Sequence, residues 1–569
     1  MRPSRQQKQL DRRAYVLIAV LMVVVVLSLA AYRFTDSMTS EFTVAVRTSE
    51  AAQVKAFAAS GVHYAAGMLA DPSTMANTLS YNPFDNETSF SNVSVNDQTS
   101  ARGGGRFCLI AVSDTFVGTG EGRYLVKYGV MDESAKLNIN SLMQLDQTGQ
   151  VLHDALMKLP NMTEDVADAI VDWVDMDDTS RAAGAESAYY SGLSPPYRAK
   201  NGPINSIDEL LLVRGVTPQL LFGNDRNRNG KLDTGENDGN DFGRGWSEFL
   251  TVYGRELDTD LNGNPRINLN DTNLDAATLS QQLTAAVGQE MSDYILAGRL
   301  FGTASSTPSS SVVFGSLVTS KATTTTSKAT TTTSKTTTSS DPDAVNGTVK
   351  MTFATVPATP AAQTIVVGPA QLRVAVQAAI TAGTKMKSKI NSASALNNTQ
   401  VTLPKAANTP PNTVAPTLIV KSPFNDPVKL KEFLPKLLEY TTTRTDFEIV
   451  PRINVNNAPP EVLLGLPGLT QTDVDAMTNA RGALDPTDPA TITGAWLVTQ
   501  ANMTAAKFLA LEKYVTGRTM TYRVHSVGYF GRGGPRARIE AVIDVNQNHP
   551  RIVYYRDVTD LGRGFDLPR

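Results

Sequence analysis

An uncharged run over residues 14–32 (AYVLIAVLMVVVVLSLAAY) constrains this chain more than any other stretch. At ~1.5 Å rise per residue, a helix of that length reaches roughly 28 Å, close to the ~30 Å hydrocarbon thickness of a bilayer. Arg2, Arg5, Lys8, Arg12 and Arg13 precede it against a single acid, Asp11. The positive-inside rule keeps such a flank cytoplasmic and sends the chain beyond Tyr32 across the membrane. A cleavable signal peptide is the competing reading, with Ser28, Ala30 and Ala31 as cleavage-site residues, but signal peptides have apolar cores of only about 7–15 residues. The rest has a soluble character. With 569 residues, 41% hydrophobic and 19% charged, the chain has room for roughly two to four domains and is no polytopic transporter. Lys and Arg number 52 against 55 Asp and Glu, so a net charge of -3 gives no global field for nucleic acid. Four His leave little material for zinc, and one Cys, Cys108, allows no internal disulfide.

Helical periodicity continues past the run without Pro or Gly until Gly61, through Phe34, Met38, Phe42, Val46, Ala51, Val54, Ala58, Val62 and Ala65. One helix to about Leu69 is predicted, ending before Asp71 and Pro72. A short basic leader, a membrane helix and an unbroken amphipathic continuation resemble the N-terminus of type IV pilins and type II secretion pseudopilins. The resemblance implies cleavage by a prepilin peptidase between Ala14 and Tyr15, although the family usually has Gly at the position of Ala14. Most pilins carry Glu as the fifth mature residue. Here it is Ala19, and the minor pseudopilin K likewise lacks that Glu. Without the carboxylate there is nothing to offset a neighbouring subunit's N-terminal ammonium in an apolar filament core.

Residues 105–131 read as a hairpin around GTGEG, and 522–530, 537–545 and 551–558 as three further strands. The expected fold is α+β: a pilin-like long helix packed on an antiparallel sheet, interrupted by a large, mostly α-helical insertion with helix-hairpin-helix-like (SAM-like) motifs. The expected divisions are a leader (1–14), a membrane segment (15–32), pilin-like parts at 33–133 and 518–569, and inserted parts at 134–300 and 347–517. A Thr/Ser/Lys-rich tether over 303–346 is expected to be disordered. A five-residue pattern recurs as KLNIN (136–140), RINLN (266–270) and RINVN (452–456), and its Asn residues suit capping of a following helix. LPGL (466–469) and VRGV (213–216) read as hairpin turns between helices.

Metal-binding patterns carry most of the chemistry. Residues 225–236 fit the calcium loop D-x-[DN]-x-[DN]-G-x5-E at each constrained position. Asp225, Asn227, Asn229, the Lys231 carbonyl, Asp233 through water and a bidentate Glu236 supply the oxygens, and Gly230 permits the turn. Residues 258–264 open similarly, but Leu269 stands where the closing Glu belongs, and a turn is expected there. Between Asn161 and Tyr190 lie eight acids and one base, Arg181, a density that repels itself unless a cation offsets it. With no H-E-x-x-H or nucleophile motif and scattered His63, His153, His525 and His549, catalysis is not expected.

Asp172, Trp173, Asp175, Asp177, then Gly184, Ala185, Glu186, then Asn201, Pro203, Ser206, Asp208, Glu209, Leu210 and Leu211 resemble the signatures of the pseudopilin K family, general secretion pathway protein K. GAWL at 494–497 adds to the match. The resemblance implies an inserted α-domain that binds calcium, with Asp175, Asp177, Asp178 and Glu186 as candidate ligands. It also implies a single-pass inner-membrane protein with a periplasmic bulk, capping the tip of the secretion pseudopilus. The implied partners are the minor pseudopilins of types I and J and the major pseudopilin below the tip. Two other functions fit the same motifs: a minor pilin of a type IV pilus-like system, and a membrane-anchored helix-hairpin-helix DNA receptor. The acids Asp473 and Asp475 beside the LPGL turn oppose phosphate, so no nucleic-acid partner is expected.

Overall fold

The computed structural model describes residues 5–96, 102–117, 123–233, 236, 243, 245–306, 364–405, 416–546, 549–562 and 564–565. The expected 118–122 hairpin turn and all of the expected tether beyond residue 306 lie outside them. The chain forms two compact units, one of Met1–Arg255 with Thr519–Arg569, the other of Glu256–Arg518.

In the first unit, helix α1 (Arg5–Ala70) runs unbroken for 66 residues and includes both Ala14 and Tyr15. Among the described residues it is the one helix long and apolar enough to cross a membrane. Its large apolar residues from Tyr15 to Val46 are exposed, whereas Val54, Phe57, Ala58, Val62, Ala65 and Leu69 are buried at three- and four-residue steps. Asp71 ends it by accepting the N–H of Ser73, which starts a new helix at Pro72.

The buried stripe lies on an antiparallel sheet in the order β1 (Val93–Asn96), β2 (Gly105–Val117), then Thr521–Phe530, Arg536–Asp544 and Arg551–Asp557. Strand β3 (Arg123–Tyr128) pairs with β2, and β4 (Met131–Asp132) with Thr521–Phe530. Leu109 faces Ser526 in the register, so the two ends of the chain share one sheet. Gly528 lets the helix backbone come down onto the strand, since a Cβ there would sit 2.3 Å from Val54 O and 2.4 Å from Ala58 N. Arg523 is buried between Glu133, 2.8 Å from its Nε, and Glu540, and both carboxyls are held well below the usual range by its charge despite burial. The lone Cys108 is fully buried.

The recurring five-residue pattern has a structural meaning that capping alone misses. Each copy forms a two-residue parallel bridge with a strand far ahead: Leu137 with Leu250, Ile267 with Thr441, and Ile453 with Val515. Asn138 accepts a first-turn amide, Ser141 N at 3.1 Å, and Asn268 and Asn454 accept from the residue two ahead. The last Asn of each copy grips distant backbone. Asn140 exchanges two hydrogen bonds with Ile204, Asn270 exchanges two with Ile390, and Asn456 donates to Thr491 O and Gly517 O. Trp496 of the GAWL motif is buried and donates to Asn456 Oδ1.

In the second unit, the segments 256–257 and 267–268 pair with strands from beyond the expected tether, Glu448–Ile449 and Thr441–Thr442. The LPGL turn joins the helices Pro460–Leu464 and Gln471–Ala480, with Gly468 at φ +75°. At VRGV the preceding element is a 3-10 helix, Ile207–Leu212, in the first unit. Asp260 accepts the N–H groups of Asn262 and Asn264, and Asp258 pairs with Arg266, so 258–264 is a turn.

Candidate metal centre

The acidic helix Glu164–Val174 starts where Thr163 Oγ1 meets Asp165, with Glu164 and Asp165 at the positive end of the helix dipole. Everything from Val166 to Val174 is buried, Asp172 included. The helix stops at Asp175, whose backbone is extended, and the chain reverses. Arg181 N returns to both oxygens of Asp172 at 3.2 Å, and Ser180 Oγ to Oδ2 at 3.3 Å. Gly184 then passes so close that a Cβ on it would lie 1.9 Å from Asp172 Oδ2.

This reversal brings Asp172, Asp175 and Glu186 together, each offering an oxygen within 4.8 Å of the others. Among the described residues, neither carboxylate oxygen of Glu186 nor Asp175 Oδ1 accepts a hydrogen bond. Glu186 is only 4% exposed. Burial pushes its carboxyl up to about 8, with the charges of Asp175, Asp172 and Asp178 adding to the rise. Burial likewise lifts Asp175 to about 6, helped by Asp177 and Asp172. Buried carboxylates without donors are costly, and a hard dication bound by oxygen would satisfy them together. The donor set fits calcium.

Of the four ligands expected in this stretch, Asp175 and Glu186 join the cluster. Asp177 and Asp178 are exposed at its rim, where Asp177 accepts Thr179 N at 2.7 Å and Asp178 accepts Ser187 N at 3.3 Å. Asp172 takes the third place. The sequence singled it out as the first acid of the family signature but not as a ligand, because the turn that aims Glu186 at it is a tertiary feature. Trp173, which follows Asp172 in the chain, packs with Tyr190 and Tyr197 into an aromatic wall, with Trp173 and Tyr190 edge to face at 5.1 Å and Tyr190 and Tyr197 stacked at 5.2 Å. Trp173 Nε1 and Lys200 Nζ both meet Glu209, which ties the later motif residues to the wall.

Residues 225–236 draw their candidate ligands inward. Asp225 accepts the N–H groups of Asn229 at 3.0 Å and Gly230 at 2.7 Å, with Gly230 at φ +76°. Asp233 Oδ2 takes the amide groups of Asn227 at 2.8 Å and Asn229 at 2.7 Å, while Glu236 accepts from Asp233 N and Asn227 N. Lys231 donates its N–H to Asn229 Oδ1. Burial raises Asp225 to about 6. The loop is fastened to the sheet: Arg538 donates to the carbonyls of Asn227 and Arg228, and Arg228 pairs with Glu540 at 2.8 Å.

Residues 135–222 match the family described as type II secretion system (T2SS), protein K. The match contains the acidic helix, Gly184, Glu186 and the Asn201–Leu211 motif residues and stops just short of the 225–236 loop. On this segment the chain is thus similar to protein K of the type II secretion system, the family its sequence motifs resemble. Similar proteins are the type II secretion system protein K of Aeromonas hydrophila, 50% identical over 56 residues (10% of this chain, 17% of the relative), and that of Pectobacterium carotovorum subsp. carotovorum, 34% identical over 86 residues (15% and 26%). A putative type II secretion system protein K of Escherichia coli K12 is 26% identical over 106 residues, 17% of this chain and 32% of the relative. The chain thus spans under a third of the length of the curated relatives it matches. A solved GspK-GspI-GspJ complex from enterotoxigenic Escherichia coli aligns over 92% of this chain and 99% of that one at 11% identity, with a TM-score of 0.26, too low to bear on the fold.

Proposed function

We propose that this protein is a minor pseudopilin that caps the tip of the type II secretion pseudopilus and helps nucleate its assembly, so supporting protein export across the outer membrane. One observation carries the reading: a segment matching protein K sits in the same unit as a single continuous helix, apolar and exposed at one end, packed on the sheet at the other. In this reading α1 anchors the chain in the inner membrane as a single span, with the bulk periplasmic, and prepilin peptidase cuts between Ala14 and Tyr15. Ala19 removes the carboxylate that a subunit above would need, and the large insertion blocks stacking over it. Partners are minor pseudopilins of types I and J and the major pseudopilin below. No catalysis and no nucleic acid belong to the role.

Calcium is part of the proposal. Asp172, Asp175 and Glu186, with Asp177 and Asp178 at the rim, hold one ion. Asp225, Asn227, Asn229, Lys231, Asp233 and Glu236 hold a second. Both ions are structural.

The test of the tip role is immunogold labelling of an internal epitope in intact cells that overproduce pseudopili. Label confined to fibre ends supports it; label spaced along the shafts overturns it.

A further inference from the structure

His153 lies on the short helix Gln150–Leu156 and is 7% exposed. Its Nδ1 is 3.3 Å from Asp154 Oδ1, and its Nε2 is 3.3 Å from Glu164 Oε1 and 3.6 Å from Asp168 Oδ1. Among the described residues, Nε2 has no hydrogen-bond partner. Glu164 and Asp168 stand four apart on the acidic helix and so present their carboxylates on one side. One atom from each of the three side chains lies within 4.8 Å of the others.

In the tautomer whose Nδ1–H is donated to Asp154, the Nε2 lone pair faces two carboxylates. That arrangement is repulsive unless a proton or a metal cation is bound at Nε2. Asp168 is fixed in place by Arg181 Nε at 2.7 Å and Ala183 N at 3.0 Å, while Glu164 opens to solvent and leaves room for water to complete a coordination shell. Calcium takes oxygen ligands, whereas a nitrogen with two carboxylate oxygens suits a borderline metal of the zinc class. We infer that His153, Glu164 and Asp168 form a binding site for a zinc-class dication, separate from the calcium cluster one helical turn further along. The nearby positive charge of Arg181 holds its affinity below that of a closed structural zinc site. The site stands whether or not the chain caps a fibre.

The experiment uses the full chain in detergent micelles, saturated with calcium, titrated with zinc chloride by calorimetry and with Co2+ followed by its visible absorption. The expected result is one zinc equivalent that excess calcium does not displace and Glu186→Gln leaves unchanged. Glu164→Gln, at an exposed side chain, and His153→Gln each weaken it by about tenfold or more. Three outcomes would overturn the inference: no zinc bound, leaving an imidazole that takes only a proton; binding unchanged in Glu164→Gln; or binding lost in Glu186→Gln, which would move the ion to the calcium cluster. Circular dichroism of each variant separates lost binding from lost folding, and Glu164→Gln decides the matter if His153→Gln does not fold.

Discussion

Gly184 tolerates no side chain, because its Cα passes over the Asp172 carboxylate and an added Cβ would overlap Oδ2 at 1.9 Å. Gly184→Ala must therefore push apart the reversal that joins Asp172 to Glu186. Overpacking of this kind costs about 1–3 kcal/mol. The expected outcome is a lower thermal midpoint together with weaker calcium binding, measured by calorimetry; an unchanged calcium titration would show that the reversal does not build the site. The raised carboxyls make a second prediction at this scale. In calcium-free protein, Glu186 rises from 4.5 to about 8 and Asp175 from 3.8 to about 6, so the folded form holds protons that the unfolded chain has released. The stability that these two groups contribute is full below pH ~4 and is lost as pH rises towards 8. Calcium needs the deprotonated carboxylates, so its stabilising effect grows over the same window. Thermal melts at a series of pH values, with chelator and with calcium, should diverge as pH increases. Curves that stay parallel would contradict the assignment, and Glu186→Gln should flatten the fall.

At the level of elements, α1 and the sheet meet through backbone. Gly528→Ala places a Cβ against Val54 O and Ala58 N, where no side-chain rotation can relieve it. The change is expected to lower stability by at least about 1–3 kcal/mol, read as a drop in denaturation midpoint, while the same substitution at Gly67, where a Cβ meets nothing within 4 Å, stays near neutral or mildly stabilises the helix. Helix and strands were legible in advance because their signals are local: apolar residues at three- and four-residue steps in α1, alternation and β-branched runs in 521–530 and 536–544. The 225–236 loop was legible for the same reason, as one contiguous pattern. The grouping of Asp172 with Glu186 and of His153 with Glu164 was not, since each depends on segments that only the tertiary fold brings alongside. The Asn repeats fall between these cases. Their recurrence was visible, but the bridges from Leu137, Ile267 and Ile453 depend on partners far ahead in the chain. The Lys507 ammonium, 2.7 Å from Asp473, lies against the acid beside the LPGL turn, so the cation there is already engaged and the turn gains little pull on phosphate.

For the whole molecule, the two proposed calcium ions, both held by residues of the first unit, predict that chelation loosens that unit as a body. Calcium should raise the thermal midpoint of the full chain, and pairing Asp175→Asn with Glu186→Gln should remove one class of site while Asp225→Asn with Glu236→Gln removes the other. Equilibrium dialysis counts the ions directly, and a stoichiometry unaffected by either pair would refute both assignments. Loop ligands that already bond one another, as Asp233 does to Asn227 and Asn229, must exchange those bonds for the metal, so the 225–236 site is expected to bind more weakly than the cluster at Glu186.

Cys108 and Tyr529 touch in the sheet although 421 residues separate them along the chain. A ribosome therefore delivers the first half of that sheet long before its central strand exists. Through all the intervening synthesis, the inner face of α1 has no strand from the C-terminal end to cover it, and such long-range pairing is slow to form and vulnerable meanwhile to association with other chains. Birth of this protein is a waiting period that ends only when its closing strands emerge, and a truncation there strands everything made before.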